Sequence, residues 1–122
     1  IVLVEQYRKP VEQNLFEIPA GKIDPGEDTL RTAQRELQEE TGYTAEHWQK
    51  LGEILPCPGY SNETLHLYLA KNLSPGDQNL DFGEFVTCHE LSLKEIKTLI
   101  LENKLQDAKT ISAIFMAEAL LG

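Results

Sequence analysis

Gly21–Tyr43 reads GKIDPGEDTLRTAQRELQEETGY. Ala20–Gly26 holds two Gly and one Pro, too many turn formers for regular structure. Asp28 suits a helix N-cap, Ala and Leu recur behind it, and Gly42 fits the position just past a helix end. The spacing therefore predicts a helix over Asp28–Thr41. At about 100° per residue, Glu40 projects within ~40° of Glu36, and Glu39 lies ~60° to the other side. Three carboxylates share one stripe. Leu30, Ala33 and Leu37 form a neighbouring apolar stripe, the expected core face. Like charges at these spacings cost a few tenths of a kcal/mol per pair. They also raise one another's pKa unless a cation neutralises them. A hard divalent ion such as Mg²⁺ suits oxygen ligands of this kind. Arg35 can reach Glu27 or Glu39 and fix their rotamers. Taken alone, E-L-Q-E-E also fits a plain solvated acidic face.

The rest of the chain supplies the frame. At 122 residues it suits one domain, 1–122. The strands and helices read from it point to a layered α/β fold. Strands are predicted at Ile1–Tyr7, Leu15–Ile18, Trp48–Leu55, Thr64–Ala70 and Glu84–Glu90. Ser92 and Glu95 form a capping box for a helix to about Glu102. A last helix over Asp107–Leu121 would place Ile111, Ile114, Phe115 and Ala119 on one face. A strand beginning at residue 1 with no initiator Met reads as a chain lacking N-terminal residues. Eleven Lys+Arg against 20 Asp+Glu give a formal net charge of −9. That balance argues against a nucleic-acid polymer and against an anionic membrane surface. Cys57 and Cys88 have no metal or disulfide spacing and read as reduced, buried thiols. The three histidines are scattered. No signal peptide is visible, which fits a cytoplasmic protein.

Gly21, Glu27, Arg35, Glu36, Leu37, Glu39, Glu40, Gly42 and Tyr43 match the pattern G-x5-E-x7-R-E-U-x-E-E-x-G-U, with U a bulky apolar residue. Tyr43, an aromatic at the last apolar position, is the sole departure. A chance match at every fixed position is on the order of one in a million or rarer. On these residues the chain resembles the Nudix hydrolases. The resemblance implies an α/β/α sandwich with a mixed sheet and a catalytic loop-helix-loop. It also implies Mg²⁺-dependent hydrolysis of a nucleoside diphosphate linked to another moiety, with Mn²⁺ as a substitute cation.

The flanks narrow the branch. Glu5-Gln6-Tyr7-Arg8, Glu17-Ile18-Pro19-Ala20-Gly21-Lys22, Pro58-Gly59-Tyr60-Ser61-Asn62-Glu63 and Asp107-Ala108-Lys109-Thr110 are similar to segments of the ADP-ribose pyrophosphatases. Carried over, that likeness makes Glu36 and Glu40 the principal metal ligands, with a carbonyl from Ala20. Glu39 is a further ligand or the base. Arg35, Glu39, Glu40 and Glu84 form the catalytic set, and Arg8, Glu17 and Gly21 the substrate-binding set. Arg8 would touch the phosphates or terminal ribose, or else cap a strand end. Glu17 would contact ligand, or else pair with Arg8 or Lys22. The loop Asn79–Phe85 keeps Asp81 and Glu84 but has Phe82 where relatives place an acid, so the base stays open among Asp81, Glu84 and Glu39. Relatives of this type are commonly homodimers.

The competing functions are hydrolysis of other nucleotides, such as sugar nucleotides or oxidised nucleoside triphosphates, and a catalytically silent ligand sensor. A purely structural acidic domain is the third. Trp48 fluorescence is expected to respond to low millimolar Mg²⁺, and a flat titration would favour the structural domain.

Overall fold

The computed structural model describes residues 1–122. In chain order it contains β1 (Val2–Arg8), a 3₁₀ turn (Lys9–Val11), β2 (Gln13–Glu17), α1 (Thr29–Thr41), β3 (Thr44–Ile54), β4 (Leu65–Ser74), β5 (Val86–Glu90), α2 (Leu93–Leu101) and α3 (Ala108–Leu121). β1 lies between β2 and β5, antiparallel to both. β3 and β4 form a separate antiparallel hairpin sheet.

Successive side chains of a strand point to opposite faces. Leu3 and Val4 are adjacent on β1 and both are 0% exposed, so both faces of that sheet are covered. Leu3 packs with Ile96 of α2, Ile114 of α3 and Leu105 between them. Val4 shares its face with its cross-strand partners Glu17 and Cys88. Cys88 in turn reaches the Glu40 carbonyl of α1 at 3.4 Å. The sheet is thus held between α1 on one side and α2 with α3 on the other. The expected layered α/β fold is present, with all strand pairings antiparallel and split between two sheets rather than one mixed sheet.

The helix ends follow the local signals. Asp28 accepts from the Arg31 amide at 2.7 Å, and Gly42 closes α1 at φ 79. Ser92 and Glu95 form the full capping box, and the Asp107 side chain caps α3. Leu37 is buried and Leu30 and Ala33 half-buried, as the stripe required.

Further expectations change, among them the bounds of β2, which runs Gln13–Glu17 rather than Leu15–Ile18. β3 begins at Thr44 and β4 runs to Ser74, because Thr44 pairs with Ser74 and Ala45 with Leu73 beyond the predicted ends. β5 begins at Val86 because Glu84 closes a turn, its amide donating to the Asp81 carbonyl at 3.0 Å. On α3, Phe115 is 47% exposed and Ala119 is exposed. The buried positions are Thr110, Ala113 and Ile114, because Thr110 docks the helix on the Ile18 amide at 2.9 Å and sets its rotation. Cys57 and Cys88 are free but exposed rather than buried: Cys57 heads a surface turn, and Cys88 lies on an outer strand.

Leu3→Ala is expected to cost about 2–5 kcal/mol in urea unfolding. Phe115→Ala is expected to cost under about 1 kcal/mol. Equal losses at the two positions would contradict this placement of the core.

Candidate active site

Arg35 ties the loop before α1 to the helix itself. Its Nε donates to Glu27 Oε2 at 2.8 Å and its Nη2 to Glu27 Oε1 at 3.0 Å, a two-point clamp. Nη2 also donates to the Lys22 carbonyl at 3.0 Å and lies 3.5 Å from Asp24 Oδ2. Nη1 donates to Glu36 Oε1 at 2.9 Å and to Glu39 Oε2 at 3.1 Å. Both predicted partners of Arg35 are therefore met, and Glu36 is added. Glu27 also accepts from Thr32 Oγ1 at 2.7 Å and from the Asp24 amide at 3.1 Å. The Arg35 and Thr32 hydrogen bonds hold its pKa down to about 2. Glu27 is the anchor of the loop, ionised throughout the working range.

Glu36 and Glu40 behave oppositely. Glu40 is only 4% exposed. Its Oε1 accepts from the Ala20 amide at 3.3 Å, while the buried Oε2 has no hydrogen-bond partner. Burial, then the neighbouring charge of Glu36, pushes the Glu40 carboxyl up to about 8. Burial also raises Glu36, against the pull of Arg35. Gly21 lies close to Glu36: a Cβ there would sit 2.0 Å from Glu36 Oε1, so the carboxylate end would have to move. Beside Ala20, Gly21 and Glu36 opens a largely apolar cavity of about 880 Å³ that reaches Leu67, Ala113 and Ile114.

These features fit a hard cation. The donors are all oxygen, one buried carboxylate oxygen lacks a partner, and the glycine leaves the backbone close to Glu36. The acids do not form a three-group cluster, and Glu36 and Glu39 are both hydrogen-bonded to Arg35. At Ala20 the contact seen is the amide on Glu40.

A second cluster adjoins the first. Arg8 clamps Glu17 through Nε and Nη2, both at 2.8 Å. Glu17 is 1% exposed and also accepts from Lys109 Nζ at 2.6 Å. Burial alone would raise Glu17, but Arg8 and Lys109 outweigh it and hold the carboxyl below its ordinary range. Of the two side chains expected to pair with Glu17, Arg8 does so and Lys22 does not, and Lys109 is the second partner. The Glu17 hydrogen bond raises the Arg8 pKa, and the charges of Asp107 and Glu40 add to this, so the two clusters are electrostatic neighbours. Nothing in the Asp107–Thr110 segment by itself singles out Lys109. Glu84 accepts from the Asp81 amide at 2.7 Å within its own loop, and its charge is felt at Glu40. Tyr43 uses its hydroxyl on Glu90 of β5, which gives the aromatic departure a purpose. Trp48 lines a surface depression together with Glu27 and Arg35, so it lies close enough to report on the loop.

Because the folded pKa of Glu40 lies above its ordinary 4.5, near 8, the folded chain holds that proton more tightly than the unfolded chain. Its stabilising contribution is full below 4.5 and is lost as pH rises towards 8. In chelator, the urea midpoint is expected to fall across that window, and Glu40→Gln to flatten the fall. An equal slope in the variant would contradict the assignment.

A profile of the NUDIX domain matches residues 1–114. The chain is 48% identical over 116 residues to a methanol dehydrogenase activator of Bacillus methanolicus. It is 43% identical over 116 residues to an ADP-ribose pyrophosphatase of Bacillus subtilis (strain 168). Each alignment covers 93% of this chain, and the chain spans 63% of the length of each relative. A crystal structure of an ADP compounds hydrolase superposes with a TM-score of 0.88 at 27% identity, covering 98% of this chain and 65% of that one.

Proposed function

The chain belongs to the NUDIX domain family, and from that premise we propose that it hydrolyses ADP-ribose to AMP and ribose 5-phosphate with Mg²⁺, or Mn²⁺ in its place. The single observation that carries the reading is the buried, part-unpartnered Glu40 beside Glu36, on a helix whose loop is clamped by Arg35. The choice of ADP-ribose is supported by the flanking segments and by the ADP-ribose pyrophosphatase of Bacillus subtilis.

Glu36 and Glu40 would hold the cation, with Glu39 and the Ala20 carbonyl as further donors. When bound, a divalent ion offsets diphosphate charge and makes water easier to deprotonate. The chain's own residues do the rest. Arg35 and Glu27 keep the loop and helix in one register, so the carboxylates meet the substrate already ordered. Gly21 lets the backbone approach the diphosphate. Arg8, 45% exposed at its side chain and fixed by Glu17, offers a positive charge to the phosphates or terminal ribose. Glu39, Asp81 or Glu84 takes the proton of the attacking water. The water oxygen joins one phosphorus, the bridging oxygen leaves with the other phosphate, and no covalent intermediate with the protein forms.

The same reading makes the protein a cytoplasmic homodimer acting on a small nucleotide. The net charge of −9 supports a small, cation-escorted substrate over a nucleic-acid polymer. No helix is long and apolar enough to cross a membrane. The 48% identity to a methanol dehydrogenase activator favours a second reading, in which the chain activates a dehydrogenase. Turnover of ADP-ribose with no partner present separates the two.

The test is a side-by-side assay of ADP-ribose, sugar nucleotides and dinucleotides with Mg²⁺ and with Mn²⁺. ADP-ribose is expected to be the fastest, chelation to abolish turnover, and Glu40→Gln to lower it by at least ~100-fold. Preference for another substrate, or a Glu40→Gln variant of near-normal rate, would overturn the assignment.

A further inference from the structure

The last carbonyls of a helix have no partner within it. On α1 two of these belong to Glu39 and Glu40, which carry the clustered carboxylates. Both are taken by the segment that follows β4. The Asn79 amide donates to the Glu39 carbonyl at 2.8 Å. The Gln78 side-chain Nε2 donates to the Glu40 carbonyl at 2.5 Å.

A carboxamide nitrogen has two hydrogens. Nε2 of Gln78 also lies 3.3 Å from the carbonyl of Val86, the first residue of β5, and 3.5 Å from Cys88 Sγ. The loop between Gln78 and Val86 is the one that carries Asp81 and Glu84. One amide therefore joins the end of α1, the start of that loop and its return into β5. The backbones also meet without side chains between them. A Cβ on Gly42 would lie 2.2 Å from the Gly76 carbonyl oxygen, and one on Gly76 2.7 Å from that of Gly42. Gly42 thus serves two needs, the positive φ of the helix end and the close approach of this segment.

We propose that Gln78 is a positioning residue that staples the Asn79–Phe85 loop to the last turn of α1, fixing Glu84 relative to Glu40. The catalytic consequence rests on the hydrolase reading above; the staple itself does not. A simple helix cap would affect only stability. A staple affects the order of the loop and the rate, and leaves the affinity for substrate in place.

Gln78→Met keeps length and removes both donors. Gln78→Glu keeps shape and turns acceptors towards the two carbonyls. Asp77→Ala is the neighbouring control. Amide hydrogen exchange over residues 79–86 is measured together with kcat and KM on ADP-ribose and with the melting temperature. For Gln78→Met, exchange in the loop is expected to quicken at least ~10-fold. Its kcat is expected to fall by ~10- to ~100-fold, with KM within about twofold and melting little changed. Gln78→Glu should exceed Gln78→Met in both effects, and Asp77→Ala should show neither. Unchanged exchange and kcat in both Gln78 variants would overturn the proposal. So would a loss of kcat that only tracks the unfolded fraction. If the wild-type chain hydrolyses nothing in the panel, the hydrolase reading fails, and the exchange data alone decide the staple: faster loop exchange upholds it, unchanged exchange overturns it.

Discussion

One guanidinium hydrogen-bonded to three carboxylates is the constraint on which the site depends. Arg35 spans Glu27 on one side and Glu36 and Glu39 on the other, and it also holds the Lys22 carbonyl. Remove that charge and like charges on one helical stripe push one another towards solvent. With it, the irregular Gly21–Glu27 segment lies against α1 without a strand or helix of its own. Gly21 can then sit on Glu36, and Ala20 can reach Glu40. Arg35 does not neutralise everything. Glu40 lies outside its hydrogen bonds, and burial raises its pKa to about 8. Burial therefore favours the protonated carboxyl up to about pH 8 unless a cation offsets its charge.

Keeping that carboxyl buried requires a firm scaffold. Val4 and Leu3 seal the two faces of β1, which brings α1 against the sheet on the Glu17 and Cys88 side. The Arg8–Glu17–Lys109 cluster sits on the same side and joins β1, β2 and the start of α3. Isolated surface ion pairs contribute little. This one is different, because Glu17 is buried and accepts from both cations. Breaking it would strand a charge, so its geometry is held tightly beside the cavity.

Legibility in the sequence divides by range. Asp28, Gly42 and the Ser92–Glu95 box act within one helical turn, and the sequence placed them correctly. The carboxylate stripe is likewise a matter of spacing along one helix. Longer-range features were harder. Lys109 meets Glu17 across 92 positions, and Gln78 meets Glu40 across 38, and no local pattern encodes either contact. The extra length of β3 and β4 comes from mutual pairing, which polar residues such as Glu46 and Asn72 disguise. Apolar spacing along α3 allows Phe115 inward, whereas the Thr110 contact with Ile18 turns it out. Cys57 and Cys88 lie exposed because a residue type's average burial does not fix the burial of a given turn or strand position.

The most direct measurement is Mn²⁺ affinity, by electron paramagnetic resonance, of the wild-type chain and of Arg35→Lys. A lysine keeps the positive charge but cannot span Glu27, Glu36 and Glu39 together. The account predicts a loss of affinity of about 10- to 100-fold with the circular dichroism spectrum unchanged. Equal affinity in the two proteins would contradict the claim that Arg35 arranges these carboxylates for a cation.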